Sequence, residues 1–215
     1  MPRHGSRTFV AALGAALLLV QAGAGGADPA APSGARALIS TTVDEVLVIL
    51  NDPALDRKAR LSRLEAIAHE RFDFVTMSQL VVARYWKTFT PEQQESFVEE
   101  FTTFLARSYG DRIDRYTNEK VEIVGEMPAP AGDRKVMTRI VGGEYGGAEV
   151  EYRLREKSGA WRVIDVKVEG ISLVLNYRDQ FAAVLSRDGA DGLLAQLRKK
   201  NSEATPSPAP APRGA

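Results

Sequence analysis

The sequence predicts an α+β fold: an antiparallel sheet of about four strands covered on one face by helices. Three observations carry that expectation. From residue 36 to residue 109 apolar residues recur at helical spacing. After Asp114 the spacing falls to two, the period of a strand with one buried and one wet face. Past Gly170 the helical spacing returns. Helices, then consecutive strands, then helices form segregated layers rather than alternating parallel units.

Residues 36–51 place Leu38, Val43, Val46, Leu47 and Leu50 on one stripe, and Asn51-Asp52-Pro53 stops the helix. A second helix spans about 53–69, with Leu55, Leu61, Leu64 and Ile67 as its apolar set. A third spans 74–86 and carries Phe74, Met77, Leu80, Val81 and Tyr85. The fourth has the clearest start, with Thr90 as N-cap, Pro91 at the first helical position and Gln93 closing a capping box. Phe97, Phe101, Phe104, Leu105 and Tyr109 then make one wide aromatic face.

Strands are expected over 121–127, 134–143, 148–155 and 161–169. The third alternates Ala148, Val150, Tyr152 and Leu154 with Glu149, Glu151, Arg153 and Arg155. Lys157-Ser158-Gly159 turns the chain into the fourth. A helix from Ile171 to Ser186 and a short one from Asp191 to Lys200 complete the domain, expected over 35–202. No internal repeat is visible.

Both ends are expected to lie outside that domain. Arg3 and Arg7 precede an apolar run, Phe9 to Val20, too short to span a bilayer. Small residues follow, so residues 1–27 read as a secretory signal peptide. The Pro/Ala-rich end, 203–215, has too little apolar area to fold and reads as a disordered tail. Beyond residue 27 there are 26 basic residues against 28 acidic ones, a net of −2. A nucleic-acid binder would show a basic excess instead. There is no cysteine, so neither a disulfide nor a lipid-modified N-terminus can form.

Catalytic groups are sparse. Outside the signal segment the one histidine is His69, at the polar end of a helix, and no G-x-S-x-G occurs. One histidine without cysteine cannot build a zinc site. Asp111, Asp114, Glu119 and Glu122 lack the spacing and glycine of a calcium loop. The glycines of GGEYGG (142–147) lack a strand-to-helix context and read as a hairpin loop. Asp165 and Glu169, four apart on a strand, stand about 13 Å apart, too far for paired-carboxylate chemistry, and read as part of a surface ion ladder with Lys167. What remains is apolar area, and periodicity alone does not separate a filled core from a lined cavity.

The stretch WRVIDVKVEGISLVLNYRDQF (161–181) resembles the signature of the MlaC, or toluene-tolerance, family of periplasmic phospholipid-binding proteins, auxiliary components of an ABC transporter. Earlier blocks match the same pattern in order: Phe72-Asp73-Phe74, Met77-Ser78, Leu80-Val81, Arg84-Tyr85-Trp86, Thr90 to Gln93, Phe97 to Phe101, Leu105 and Tyr109. The resemblance implies a monomeric periplasmic shuttle with no cofactor and no enzymatic activity. Its partners would be phospholipid, an inner-membrane Mla-type ABC transporter and an outer-membrane Mla-type lipoprotein complex, and its role the maintenance of outer-membrane lipid asymmetry. Acyl tails would lie between sheet and helices with the head group outside. Because the family includes hopanoid-associated members, a hopanoid or other non-polar lipid is the alternative cargo, and a docking scaffold with a filled core is the alternative role. The Pro-rich tail is not part of the family pattern.

At about 0.8 kcal/mol per methylene, two sixteen-carbon tails cost on the order of 20 kcal/mol to expose, so such a cargo needs an apolar enclosure to cross water. Expected lining residues are Phe101, Phe104, Leu105, Val150, Tyr152, Leu154, Val166, Val168 and Val174. Core packing accounts for each of them singly as well as ligand contact does. Arg84, Tyr177 and Arg178 are candidates for the pocket mouth, with a helix-holding ion pair as the competing role of the arginines. Ile164, Val166 and Val168 are expected on one strand face, continued past Gly170 by Ile171, Val174, Tyr177 and Phe181 as a single apolar wall.

Overall fold

Capping side chains set the starts of most of the helices. The computed structural model describes residues 34–113, 116, 118–143 and 145–203, all within one unit. The expected signal peptide, 1–27, and the expected disordered tail, 203–215, apart from Glu203, lie outside the described residues. Helix α1 runs Gly34–Asn51, α2 Arg57–Arg71, α3 Phe74–Val82, α4 Pro91–Ile113 and α5 Leu173–Ser202. Asp56 caps α2 by accepting from the Ala59 N–H, and Asp73 caps α3 by accepting from Thr76. The capping box at α4 is present in both directions: Thr90 N donates to Gln93 Oε1 at 3.0 Å and Gln93 N to Thr90 Oγ1 at 3.2 Å.

Two helices differ from expectation. The third ends at Val82, and Ala83–Thr88 winds on as a 3-10 segment after Ala83 takes φ 49°. The break is matched from outside the element: the Arg178 guanidinium on α5 donates to the Leu80 carbonyl through Nε at 2.9 Å and Nη2 at 2.6 Å. A partner that far away in sequence leaves no local signal. The last helix is broken by a kink where Gly189 adopts φ 65°, between the two helices expected there.

The strands are β1 Lys120–Pro128, β2 Arg134–Val141, β3 Glu149–Lys157, β4 Ala160–Val168 and β5 Ile171–Ser172. They form one antiparallel meander in the order β1-β2-β3-β4-β5. The β3–β4 turn has positive φ at both Ser158 and Gly159, as a two-residue hairpin turn that follows the sheet twist requires. The unanticipated fifth strand arises the same way: Glu169 and Gly170 take φ 48° and 83°, and Ile171 and Ser172 pair back onto β4 before α5 begins.

One sheet face is charged, with Lys135–Glu151 and Arg139–Glu149 ion pairs at 2.9 Å and with Asp133 held by Arg153 and Arg155. The opposite face packs under α1. A bulge in β4 sets which residues reach it. Arg153 pairs with Asp165 and Leu154 with Val163, so Ile164 is an extra residue. Val163, Val166 and Val168 therefore group with the α1 face, and Ile164 does not share it as strict alternation predicted.

Apolar side chains gather in two clusters. The first joins α3, α4 and α5 around Phe97, Phe101, Tyr177 and Phe181, whose rings meet at 5.6–6.0 Å. The second lies between α1 and the sheet. Phe72 and Leu173 touch both. The single wall expected to run from β4 into α5 is thus divided: Val166 belongs to the second cluster, and Val174, Tyr177 and Phe181 to the first.

Candidate functional site

Helix α1 crosses the inner sheet face in a defined direction. At its start Gly34 lies against the Trp161 ring at the beginning of β4, so closely that an added Cβ would come within 2.8 Å of it. At its end the Asn51 amide donates to the Tyr116 hydroxyl at 3.0 Å, and that hydroxyl donates to the Glu119 carbonyl just before β1. Helix α2 then returns alongside, braced by Arg71 to Glu45 of α1 at 3.0 Å. It ends where Phe72 bridges to Val163 and Asp73 N donates to the Val163 carbonyl at 2.9 Å.

Burial falls along that path on α1, β3 and β4, while Val136 and Thr138 of β2 stay buried. Strand register divides the inner face into rows. Leu154 and Val163 form the row nearest the α1 N-terminus and are essentially sealed, at 0% and 1% exposure. The next row is Val136, Tyr152 and Val166; Val136 and Val166 are buried, while Tyr152 is half-buried. Then come Ile123, Thr138, Val150 and Val168, of which only Thr138 is fully buried. Val121 and Ile140, the last row, are both half-buried. Helix α1 follows the same trend. Ala35 and Ile39 are buried, whereas Val43, Val46, Leu47 and Leu50 are half-exposed. No residue of α2 is buried, although Leu61, Leu64 and Ile67 repeat at helical spacing. The result is an apolar face sealed near the start of α1 and only partly buried toward the α1–α2 turn.

One polar feature sits within it. The Thr138 hydroxyl donates to the Val150 carbonyl at 3.3 Å. The neighbouring Tyr152 hydroxyl is enclosed, and that burial pushes its pKa up against the smaller opposing effect of a hydrogen bond with Thr138. The phenol therefore stays neutral through the physiological range. Among the described residues no group of three or more His, Cys, Asp or Glu is placed to hold a metal ion.

The expected lining residues divide between the clusters. Val150, Tyr152, Leu154, Val166 and Val168 lie on this face. Phe101, Leu105 and Val174 are buried in the helical cluster, and Phe104 packs on its edge with its ring 5.3 Å from that of Tyr177. At the expected mouth, Tyr177 is 3% exposed inside the aromatic stack, and Arg178 is committed to the Leu80 carbonyl. Arg84 is exposed and folds over its neighbour, 5.0 Å from the Tyr85 ring centre. Asp165 does not join a surface ladder. It accepts from Ser172 Oγ at 2.6 Å and Val174 N at 3.1 Å, and so helps cap α5, while Glu169 accepts from the Glu149 N–H. His69 is exposed near the end of α2 with its ring edge-on to Phe74 at 5.5 Å. The α1 residues Leu38 and Val43 pack against the sheet cluster and were missing from the expected site. Their helical stripe was visible in sequence, but which surface it would face was not.

Comparisons with known proteins converge on one group. The chain is 31% identical over 138 residues to the toluene tolerance protein ttg2D of Pseudomonas putida, covering 60% of this chain and 63% of that protein. It is 25% identical over 130 residues to the intermembrane phospholipid transport system binding protein MlaC of Haemophilus influenzae, covering 57% and 59%. It thus spans about three fifths of the length of these curated relatives. The fold matches a phospholipid-binding protein from Ralstonia solanacearum, solved in complex with a phospholipid. The TM-score is 0.69 at 30% identity, covering 78% of this chain and 97% of that one. The family model described as MlaC protein matches residues 40–199, nearly the whole of the described domain, and the chain belongs to that family.

Proposed function

We propose that this protein is a periplasmic phospholipid shuttle. It receives lipid from one membrane's Mla-type complex and delivers it to the other, between an inner-membrane ABC transporter and an outer-membrane lipoprotein complex, and so maintains outer-membrane lipid asymmetry. The observation that carries this reading is the apolar face under α1, sealed at one end and only partly buried at the other. Leaving apolar residues partly uncovered has a cost, about 0.8 kcal/mol for each exposed methylene, and a bound tail would offset it. Here partly buried apolar residues extend from Leu50 and Ile140 through Val150 and Val168 to Tyr152. An acyl chain lying along them would complete their burial. The relative solved with phospholipid has the same fold, which supports assigning this cargo. The protein acts as a carrier: it holds its cargo without transforming it.

Val150, Tyr152, Val168, Leu38 and Val43 are the lining we assign, with Leu154 and Val166 behind them. Phe101, Phe104, Leu105 and Val174 form the helical scaffold. Mass spectrometry of organic extracts from purified protein tests the reading. Diacyl phospholipid is expected; a cyclic triterpenoid would make it a hopanoid carrier, and a protein that stays empty after incubation with liposomes would make it a scaffold. Val150→Glu puts a charge on the half-exposed floor and is expected to abolish loading while the circular dichroism spectrum stays native. Loss of fold instead would place Val150 in a solid core.

A further inference from the structure

We propose that the sealed end of this face is a chain-length stop, which sets how long an acyl tail the protein accepts. The proposal rests on the phospholipid reading above and adds a specificity determinant to it. Its basis is the burial gradient seen on both facing surfaces, α1 and the sheet beneath it. On α1, burial is complete at Ala35 and Ile39 and partial at Leu38, Val43, Val46, Leu47 and Leu50, while Val48 on the far side is exposed. On the sheet it is complete at Leu154 and Val163 and partial at Tyr152, Val150, Val168 and Ile140 farther out, while Val136 and Thr138 of β2 stay buried along the strand. The contacts of Gly34 with Trp161 and of Asn51 with Tyr116 orient the helix so that both gradients point the same way.

A lipid has only one orientation that suits such a gradient. Its phosphate and esters require water or polar partners, so they belong at the partly buried end, toward the α1–α2 turn. The terminal methyl makes no such demand and runs toward Ile39. There it meets Ala35, Ile39, Val136, Leu154 and Val163, which already pack on one another with 0–2% exposure. Interiors packed to that degree do not admit extra methylenes without strain. Along α1 the distance from Ile39 to Leu50 is about 16 Å, which is the depth available before the stop.

The full-length protein is equilibrated with phosphatidylglycerol vesicles carrying an equimolar ladder of saturated chain lengths, and the bound lipid is profiled by mass spectrometry. Ile39→Ala removes three carbons from the stop and is expected to shift the preferred tail longer by up to about three carbons. Val43→Trp fills the channel above the stop and is expected to shift it shorter. This second variant adds bulk at a half-exposed position and decides the matter if Ile39→Ala does not fold. Profiles identical to wild type from folded, loaded variants would overturn the stop and leave the carrier function standing. A wild-type protein that takes up no phospholipid would overturn both.

Discussion

Replacing Arg178 with alanine separates a structural arginine from a head-group ligand. The guanidinium makes two hydrogen bonds to one acceptor, the Leu80 carbonyl, at 2.9 and 2.6 Å. That carbonyl lies in the last turn of α3, where intrahelical donors run out. Hydrogen bonds from charged groups contribute about 1.5–3 kcal/mol, and both bonds here share one oxygen, so a loss of about 2 kcal/mol is expected. For a domain of this size that corresponds to a fall in Tm of about 4–8 °C. Urea unfolding should show a lower midpoint with an unchanged slope. Lipid content below the transition should match wild type. A variant with wild-type stability but no bound phospholipid would refute this and return Arg178 to the mouth of the site.

Two further tests address the fold. Burial raises the Asp133 carboxyl, but hydrogen bonds from Arg155 and Arg153 and their charges outweigh it and hold the pKa below the ordinary carboxylate value. A depressed folded-state pKa contributes stability that is present above about pH 4 and lost as pH falls through the folded value. Urea midpoints at neutral and acid pH should therefore diverge more in wild type than in Asp133→Asn, and at neutral pH that variant should lose about 3 kcal/mol. Ser78 is fully buried, and its hydroxyl has no hydrogen-bond partner among the described residues. Ser78→Ala is expected to be neutral or to stabilise by up to about 1 kcal/mol, whereas Ser78→Leu should cost about 1–3 kcal/mol by overpacking; thermal melts distinguish the two.

Fold class, element order and most boundaries were legible in the residues because their causes are local. Thr90, Pro91 and Gln93 are neighbours, so the start of α4 could be read directly. The alternation in β3 likewise specified a wet and a buried face without reference to the rest of the chain. The premature end of α3 was not legible, because the group that takes the Leu80 carbonyl arrives from 98 residues away. The facing of β4 was not legible either: the bulge at Ile164 is a mismatch between two strands, and one extra residue reverses every later side chain. The same distinction governs the site. Apolar periodicity identifies which residues avoid water, and it did so for Phe101 and Val150 alike. It carries no information on the surface each one meets, and here Phe101 met other rings while Val150 was left half-covered. That outcome depends on how α1 is laid across the sheet from Trp161 to Tyr116, a separation set by contacts between distant parts of the chain, which no local pattern encodes.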